Sequence, residues 1–200
     1  MGKRVRTRGI LVLSFLGLAL GSLGSSAVVS DQTCPRDKAF GDWVQEEYKD
    51  TRTRVLERYA IGAPIYEFGR SSEKVKIGSW IDAFTGRKFQ EVDAAAIQID
   101  HIVPVCFAWS HGAKAWSKDD RQSFFNDTRF LRPVEASLNS SKGEKAPDQF
   151  LPPNRPLACK YVRLFLEGVE EYKLTLSPNE HTEILKARTK ACKFSAADGT

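Results

Sequence analysis

Four cysteines constrain the fold of this 200-residue chain more than any other feature. All of them lie beyond residue 33. In an exported protein, an even number of cysteines is the default sign of disulfide bonds. A zinc site is the competing interpretation, but the spacings are far too wide for its usual Cys-x-x-Cys pairs. The sequence therefore predicts two disulfides, in any of three pairings, among Cys34, Cys106, Cys159 and Cys192.

The N-terminus has the layout of a secretory signal peptide. Basic residues at positions 3, 4, 6 and 8 precede an apolar run from Ile10 to Leu20. A run of roughly eleven residues is too short to span a bilayer, which needs about 20, and small residues follow it up to Ala27. We expect cleavage after Ala27, which leaves a secreted chain (extracellular or periplasmic) without stable membrane association. An uncleaved membrane anchor is the alternative.

The net charge of the chain changes when the signal peptide is set aside. The full sequence has 30 Lys and Arg against 25 Asp and Glu, a formal charge of +5. Four of the basic side chains lie before residue 28, so the mature chain has 26 against 25 and a net charge of +1. A strongly cationic surface that binds nucleic acid by counterion release is thereby excluded for the mature chain as a whole. Any basic surface must be local.

The hydrophobic pattern predicts an α+β protein with one domain at 28–200. Apolar residues at helical spacing alternate along the chain with short strand-like stretches, and no linker divides it. Ser177-Pro178-Asn179-Glu180 has the composition of a capping box with proline at the first helical position. The predicted elements are helices over 37–59, 135–142 and 158–172 and from 178 onward, a hairpin over 74–90 with its turn at 83–86, and strands over 95–105 and 130–134.

The strongest chemical signal is the pair Asp100-His101 in the predicted strand that ends before Pro104. Successive side chains of a strand point to opposite faces, so the two could serve one centre only at a bend or around a bound phosphate. A histidine with an ordinary pKa near 6.5 is largely neutral at pH 7 and can act as a general base. For an isolated pair, however, a histidine satisfied at a strand end and an aspartate capping a turn are the more common explanation.

The residues downstream give this pair a context. The run Leu138-Asn139-Ser140-Ser141-Lys142-Gly143 follows a predicted loop, a second strand and the start of a helix. In this arrangement the sequence resembles the HNH (His-Me finger) endonucleases, and more closely the nucleases related to the C-terminal domain of the GmrSD type IV restriction enzymes, many of which are stand-alone secreted proteins. The resemblance covers about residues 76–176. Further matching segments are Asp100-His101-Ile102-Val103-Pro104, Ala108-Trp109, Gly112-Ala113, Trp116-Ser117, Phe125-Asn126-Asp127, Leu151-Pro152-Pro153 and Cys159-Lys160-Tyr161.

This resemblance implies both a fold and a chemistry. The fold is a ββα-metal core at about 98–145, embedded in a mostly helical single domain. The activity is hydrolysis of phosphodiester bonds by an endonuclease with little sequence specificity, with DNA as the favoured substrate and RNA as the alternative. His101 would be the general base. Asp100 and Asn139 would bind one divalent cation, Mg²⁺ or alternatively Mn²⁺, for which oxygen ligands are suited.

The sequence departs from the family pattern at one position. The family's Asn-Asp-x-x-Asn-Leu reads Asn126-Asp127-Thr128-Arg129-Phe130-Leu131 here, so Phe130 stands at the second asparagine's place. We expect Asn126 to orient His101 instead. The departure also motivates an alternative from another class, a catalytically inactive HNH-like protein that binds nucleic acid or a partner in the cell envelope.

Basic residues near these motifs are candidates for contacts with substrate phosphates. Lys142 would act as a point charge, and Arg129 or Arg132 as a forked donor. For each arginine, a solvated surface position is an equally good interpretation. His111 and His181 lack a matching context and are expected at the surface.

Overall fold

The computed structural model describes Gly2 and residues 34–193, so the predicted signal peptide at 1–27 lies, apart from Gly2, outside the described residues. The described chain mixes helices and strands, which confirms the predicted α+β class. From 34 to 193 it belongs to one compact unit. In order, its elements are α1 (Arg36–Phe40), β1 (Gln45–Glu46), β2 (Lys49–Asp50), α2 (Thr51–Tyr59), β3 (Ile65–Phe68), β4 (Glu73–Ile81), β5 (Lys88–Asp93), β6 (Ile97–His101), α3 (Val105–Ser110), α4 (Lys118–Phe125), β7 (Leu131–Glu135), α5 (Ala136–Lys142), α6 (Arg155–Glu171) and α7 (Pro178–Cys192).

The single amphipathic helix predicted over 37–59 is wrong, because this region contains α1, the β1–β2 hairpin and α2. Gly41 ends α1 with a φ of +76°, a left-handed conformation that glycine adopts without steric cost. Asp50 begins α2, since its side chain accepts a hydrogen bond of 2.7 Å from the Thr53 N–H. Helical spacing of apolar residues was therefore produced by two separate helices, which bury their apolar side chains in different clusters.

The predicted hairpin is confirmed as β4 and β5, which belong to a three-stranded antiparallel sheet in the order β3-β4-β5. Its turn depends on Asp82, whose side chain is fully buried. The Asp82 carboxylate accepts the backbone N–H groups of Phe84 at 2.9 Å and Thr85 at 2.7 Å. Its other oxygen accepts the N–H of Glu135, the residue before α5. One buried carboxylate thus ties the hairpin turn to the start of α5.

The two strands predicted around Asp100 and Phe130 are confirmed as β6 and β7, an antiparallel pair. Asp100 lies opposite Arg132, and His101 lies opposite Leu131. Side chains alternate between the two faces of β6. Ile97 and Ile99 therefore face an apolar cluster, whereas Gln98 and Asp100 lie on the other face. The buried members of that cluster are Val55, Leu56, Val75, Trp80, Ala94, Ile97, Ile99 and Leu131.

A second and larger apolar cluster lies beneath the C-terminal helices and includes Phe84, Val103 and Phe165. The predicted helix over 158–172 is α6, which begins earlier because the Asn154 side chain caps its first turn. The predicted capping box of α7 is confirmed, with Ser177 and Glu180 bonded reciprocally.

Two disulfides are present, as predicted, and the structure resolves their pairing. Cys34 pairs with Cys106 in α3, and Cys159 in α6 pairs with Cys192 in α7. The first bond fastens the segment before α1 to the helix that follows His101, and the second joins the two longest helices. Within residues 34–193, no helix has the length and apolarity needed to cross a membrane.

Candidate active site

A pocket of about 300 Å³ opens where β6 ends, beside α5 and the starts of α1 and α3. It brings Asn139 together with Asp100 and His101, which lie about forty positions earlier in the sequence. All three are predicted site residues. Lys142 also borders it. The full lining consists of Arg36, Gln98, Ile99, Asp100, His101, Pro104, Val105, Cys106, Asn139, Ser140, Lys142, Gly143 and Glu144.

His101 is held in one orientation by its backbone and aromatic neighbours. Its Nε2 lies 2.8 Å from the carbonyl oxygen of Phe125, which can only accept, so Nε2 carries the proton. The Trp43 ring stacks on the imidazole at 5.5 Å between centroids with 6° between planes, and the Phe125 ring lies at 4.5 Å. This tautomer leaves the lone pair of Nδ1 as the basic nitrogen, on a side chain that lines the pocket.

Burial keeps this histidine neutral. The side chain is 6% exposed, and desolvation lowers the pKa of His101 from 6.5 to about 3, although the bond to the Phe125 carbonyl acts in the opposite direction. The charges of Arg36 and Lys142 lower the pKa further. At pH 7 the free protein therefore has the unprotonated form that a general base requires.

Asn126, which we expected to orient His101, lies one step removed from it. Its Oδ1 accepts the Val44 N–H at 2.8 Å, and its Nδ2 donates to the carbonyls of Asp42 and Gln122. These bonds hold the residues on either side of Trp43, the ring that stacks on His101. Asn126 is not among the residues that line the pocket. Its contact with His101 is thus indirect, through the loop that carries Trp43.

Phe130, at the position of the family's second asparagine, lies in the core and is 5% exposed. Its ring packs against Tyr172 and against the backbone of α6 at Gly168. The side chain does not line the pocket, whereas its carbonyl accepts the N–H of Ile102 at 2.9 Å. In this chain the Phe125 carbonyl accepts the hydrogen bond that orients His101. The imidazole therefore has a partner although the family's second asparagine is missing.

Asp100 and Lys142 form a buried ion pair at the base of the pocket. The Lys142 ammonium is fully buried and donates to Asp100 Oδ1 and to the His101 carbonyl, each at 2.8 Å. Burial raises the pKa of Asp100 and lowers that of Lys142, and the attraction between the two opposes both shifts. Lys142, expected from the sequence as a contact for a substrate phosphate, is therefore placed as the partner of Asp100.

The other oxygen of Asp100 suits a cation. Asp100 Oδ2 is buried and has no hydrogen-bond partner among the described residues. Asn139 donates from Nδ2 to Gln98 Oε1 at 2.9 Å, which leaves its Oδ1 with free lone pairs beside the same pocket. No group of three His, Cys, Asp or Glu side chains in the described part of the chain could hold a metal. Of the predicted ligands, Asp100 offers one carboxylate oxygen and Asn139 one amide oxygen, and the exposed Glu144 carboxylate also lines the pocket. Such a set fits a hard cation keeping several waters.

The two arginines expected near the substrate lie away from the pocket. Arg129 binds Asp127 through two nitrogens and reaches Glu171 at 2.8 Å. Arg132 donates to the carbonyls of Arg129 and Leu131. His111, expected at the surface, is largely buried and bonds Glu180 at 2.9 Å. These side chains therefore join elements of the fold.

The lining residues that the sequence did not predict include one exposed cation, Arg36. It lies two residues after Cys34, and the Cys34–Cys106 disulfide brings this segment beside the strand that ends at His101. The four cysteines allowed three disulfide pairings. Only the pairing that includes Cys34–Cys106 places Arg36 beside the pocket.

Comparison with known proteins finds one informative relative. No known family model and no solved structure matches the chain. An "Uncharacterized secreted protein" of Arthroderma benhamiae is 32% identical over 152 residues, which cover 74% of this chain and 71% of the relative. The relative's description and the two disulfides agree with the predicted location, and the chain is a secreted protein. At this identity and coverage, the chain belongs to the same family as the secreted protein of A. benhamiae.

Proposed function

We propose that this secreted protein is a metal-dependent endonuclease of the HNH type, which hydrolyses phosphodiester bonds of DNA with little sequence specificity. One observation carries the proposal. A neutral histidine, held by a backbone carbonyl with its second nitrogen free, shares a pocket with a carboxylate that has one buried oxygen without a hydrogen-bond partner. A base beside a site for a hard cation is the minimum that hydrolysis of a phosphodiester needs.

The arrangement of elements supports a ββα core made of β6, β7 and α5. The two strands are antiparallel, and α5 follows β7 without an intervening loop. The helix runs back past β6, where Asn139 bonds Gln98 and Lys142 bonds Asp100. This connection explains how residues about forty positions apart meet at one pocket.

His101 Nδ1 removes a proton from a water molecule, and the resulting hydroxide attacks phosphorus in line with the 3′ oxygen. The bond from phosphorus to that oxygen breaks, which leaves a 5′ phosphate and a 3′ hydroxyl once the leaving oxygen gains a proton. The negative charge of a bound phosphodiester would act to raise the pKa of His101 from its low value in the free protein.

Asp100 Oδ2 and Asn139 Oδ1 are the protein atoms that would hold the cation. When bound, Mg²⁺ or Mn²⁺ would supply neutralisation of the negative charge that develops on the phosphate and on the leaving oxygen. Lys142 keeps Asp100 in place and shares its charge, since it binds the opposite carboxylate oxygen.

The test is cleavage of plasmid DNA by the oxidised mature chain with Mg²⁺ or Mn²⁺, with EDTA as the chelated control. His101→Ala should lower the rate by about 10²–10⁴-fold, the usual contribution of a general base. His181→Ala is the matched control, because His181 is exposed on α7 and lies outside the pocket lining. Equal rates for wild type and His101→Ala, or cleavage that persists in EDTA, would contradict the mechanism. A single-stranded RNA of equal length tests the substrate class.

A second candidate function is a catalytically inactive HNH-like protein that binds nucleic acid or a partner in the cell envelope. The observation that favours it is the Lys142 ammonium on Asp100, which competes with a cation for the same carboxylate. This alternative predicts no cleavage with any divalent metal, and DNA or partner binding that is unchanged by EDTA. Binding of labelled DNA with and without chelator separates the two.

A further inference from the structure

Arg36 differs from Arg52, Arg121 and Arg129 because its guanidinium is not paired with any described residue. Its guanidinium forms no hydrogen bond or ion pair within the described part of the chain, although Arg36 lines the pocket beside Asp100 and His101. Arg52 and Arg121, by contrast, donate to backbone carbonyls, and Arg129 binds two carboxylates. An unpaired guanidinium at the mouth of a pocket retains all of its donors for a ligand.

Arg36 lines the same pocket as Asp100, His101 and Lys142, and its charge acts on all three. Burial is the main cause that raises the pKa of Asp100 and lowers the pKa values of His101 and Lys142. The Arg36 charge makes a smaller contribution that lowers the pKa at all three. Lys142 is the other cation of the lining, and its ammonium is fully buried and already bonded. Arg36 is therefore the lining cation with donors available to an anion.

Two fastenings hold Arg36 where it is. On its N-terminal side, Cys34 is bonded to Cys106, which itself lines the pocket. On its C-terminal side, Phe40 is buried in the larger apolar cluster with 1% exposure. The Ala39 carbonyl also accepts a bond of 2.8 Å from Arg121. Because α1 has only five residues, these attachments rather than the helix itself determine the position of Arg36.

We propose that Arg36 binds the scissile phosphate of the substrate, with the Cys34–Cys106 disulfide as the tether that holds it over the pocket. This rests on the proposed nuclease function. A guanidinium presents parallel N–H donors that match two non-bridging phosphate oxygens, a geometry that an ammonium cannot reproduce. The disulfide makes the site depend on oxidation, so the nuclease is complete only after export to an oxidising compartment.

The first experiment compares Arg36→Ala and Arg36→Lys with wild type in cleavage of a fluorescent duplex DNA. Loss of a charge-assisted bond should lower kcat/KM by roughly 10- to 100-fold for Arg36→Ala, and the lysine variant should recover part of it. Lys38→Ala is the matched control, since Lys38 is an exposed cation on the same helix outside the pocket lining. Because Arg36 is exposed and unpaired, its variants should unfold at the wild-type temperature.

The outcomes separate this proposal from the proposed function. Arg36→Ala within about twofold of wild type, alongside an inactive His101→Ala, would overturn the role of Arg36 and leave the nuclease intact. If wild type itself cleaves nothing, the nuclease proposal fails, and binding of the same DNA in EDTA then decides on Arg36. Equal affinity of wild type and Arg36→Ala in that assay would overturn the phosphate contact, whereas a clear loss specific to Arg36 supports it.

A second experiment tests the tether with disulfide variants matched in kind. Cys34→Ser with Cys106→Ser should lower kcat/KM nearly as much as Arg36→Ala, and adding Arg36→Ala to it should lower kcat/KM little further. Cys159→Ser with Cys192→Ser removes the other disulfide and should retain activity at temperatures where the chain stays folded. Full activity of the first pair, or a fully additive loss in the triple variant, would overturn the tether.

Discussion

Replacing Lys142 with methionine removes the buried cation of the site while keeping a side chain of similar length. The ammonium is fully buried and donates to Asp100 Oδ1 and to the His101 carbonyl. Without it, the buried Asp100 carboxylate has no described partner on either oxygen, because Oδ2 already has none. Removal of one member of a buried pair costs about 3–5 kcal/mol. At about 2–4 °C per kcal/mol for a domain of this size, Tm should fall by roughly 6–20 °C.

The assay is thermal and urea unfolding of the oxidised mature chain in EDTA, with wild type, the single variants and the double variant. Apolar replacement of both members of a buried pair is often neutral, so Asp100→Leu combined with Lys142→Met should recover most of the loss. Lys145→Met, an exposed lysine just after α5, is the control and should change stability by less than about 0.5 kcal/mol. A loss below about 1 kcal/mol for Lys142→Met, without coupling to Asp100, would refute the buried pair.

Three further predictions concern groups that support the site. Asp82→Ala leaves three backbone N–H groups without their acceptor and should cost about 2–4 kcal/mol in urea unfolding; Asp82→Asn, with one amide oxygen, should cost less. Trp43→Ala removes the ring stacked on His101 and should lower kcat more than it changes KM, whereas Trp43→Phe should restore most of the rate; an unchanged kcat for the alanine variant would exclude a positioning role. Hydrogen bonds from Ser177 and from His111 lower the pKa of Glu180 from 4.5 to about 2, so its contribution to stability is complete above pH 4.5 and is lost as the pH falls toward 2. The difference in unfolding free energy between wild type and Glu180→Gln should therefore shrink over that window, and a difference that is constant with pH would contradict the assignment.

Elements with their own local signals could be predicted from the sequence. The capping box at Ser177 and the turn at 83–86 are specified by adjacent residues, and both are present in the structure. The helix predicted over 37–59 was wrong because helical spacing of apolar residues does not reveal a chain reversal at Gly41. Periodicity reports which residues are buried, and two short helices that bury their apolar side chains in different clusters can imitate a single long one.

In the candidate site, too, residues within motifs were predicted, whereas burial and long-range contacts were not. Asp100, His101 and Asn139 were predicted from motifs whose order requires a strand pair followed by a helix, and the structure brings them to one pocket. Burial cannot be inferred from a motif, so the sequence suggested a phosphate contact for Lys142 where the structure has a buried ion pair. Arg36 was beyond reach for a different reason, since its place depends on a disulfide that closes across 72 residues.

The geometry of the site depends on buried polar groups rather than on the helix that carries its residues. An isolated helix shorter than about 12 residues is marginal in water, and α5 has only seven. Its start is fastened by the bond from the Glu135 N–H to Asp82, and its end by the bonds of Lys142 to Asp100 and to the His101 carbonyl. Asn139 lies between these two fastenings. The ion pair that weakens the charge of Asp100 toward a cation is therefore the same contact that brings Asn139 beside it, and loss of Lys142 would disrupt the donor set along with the fold.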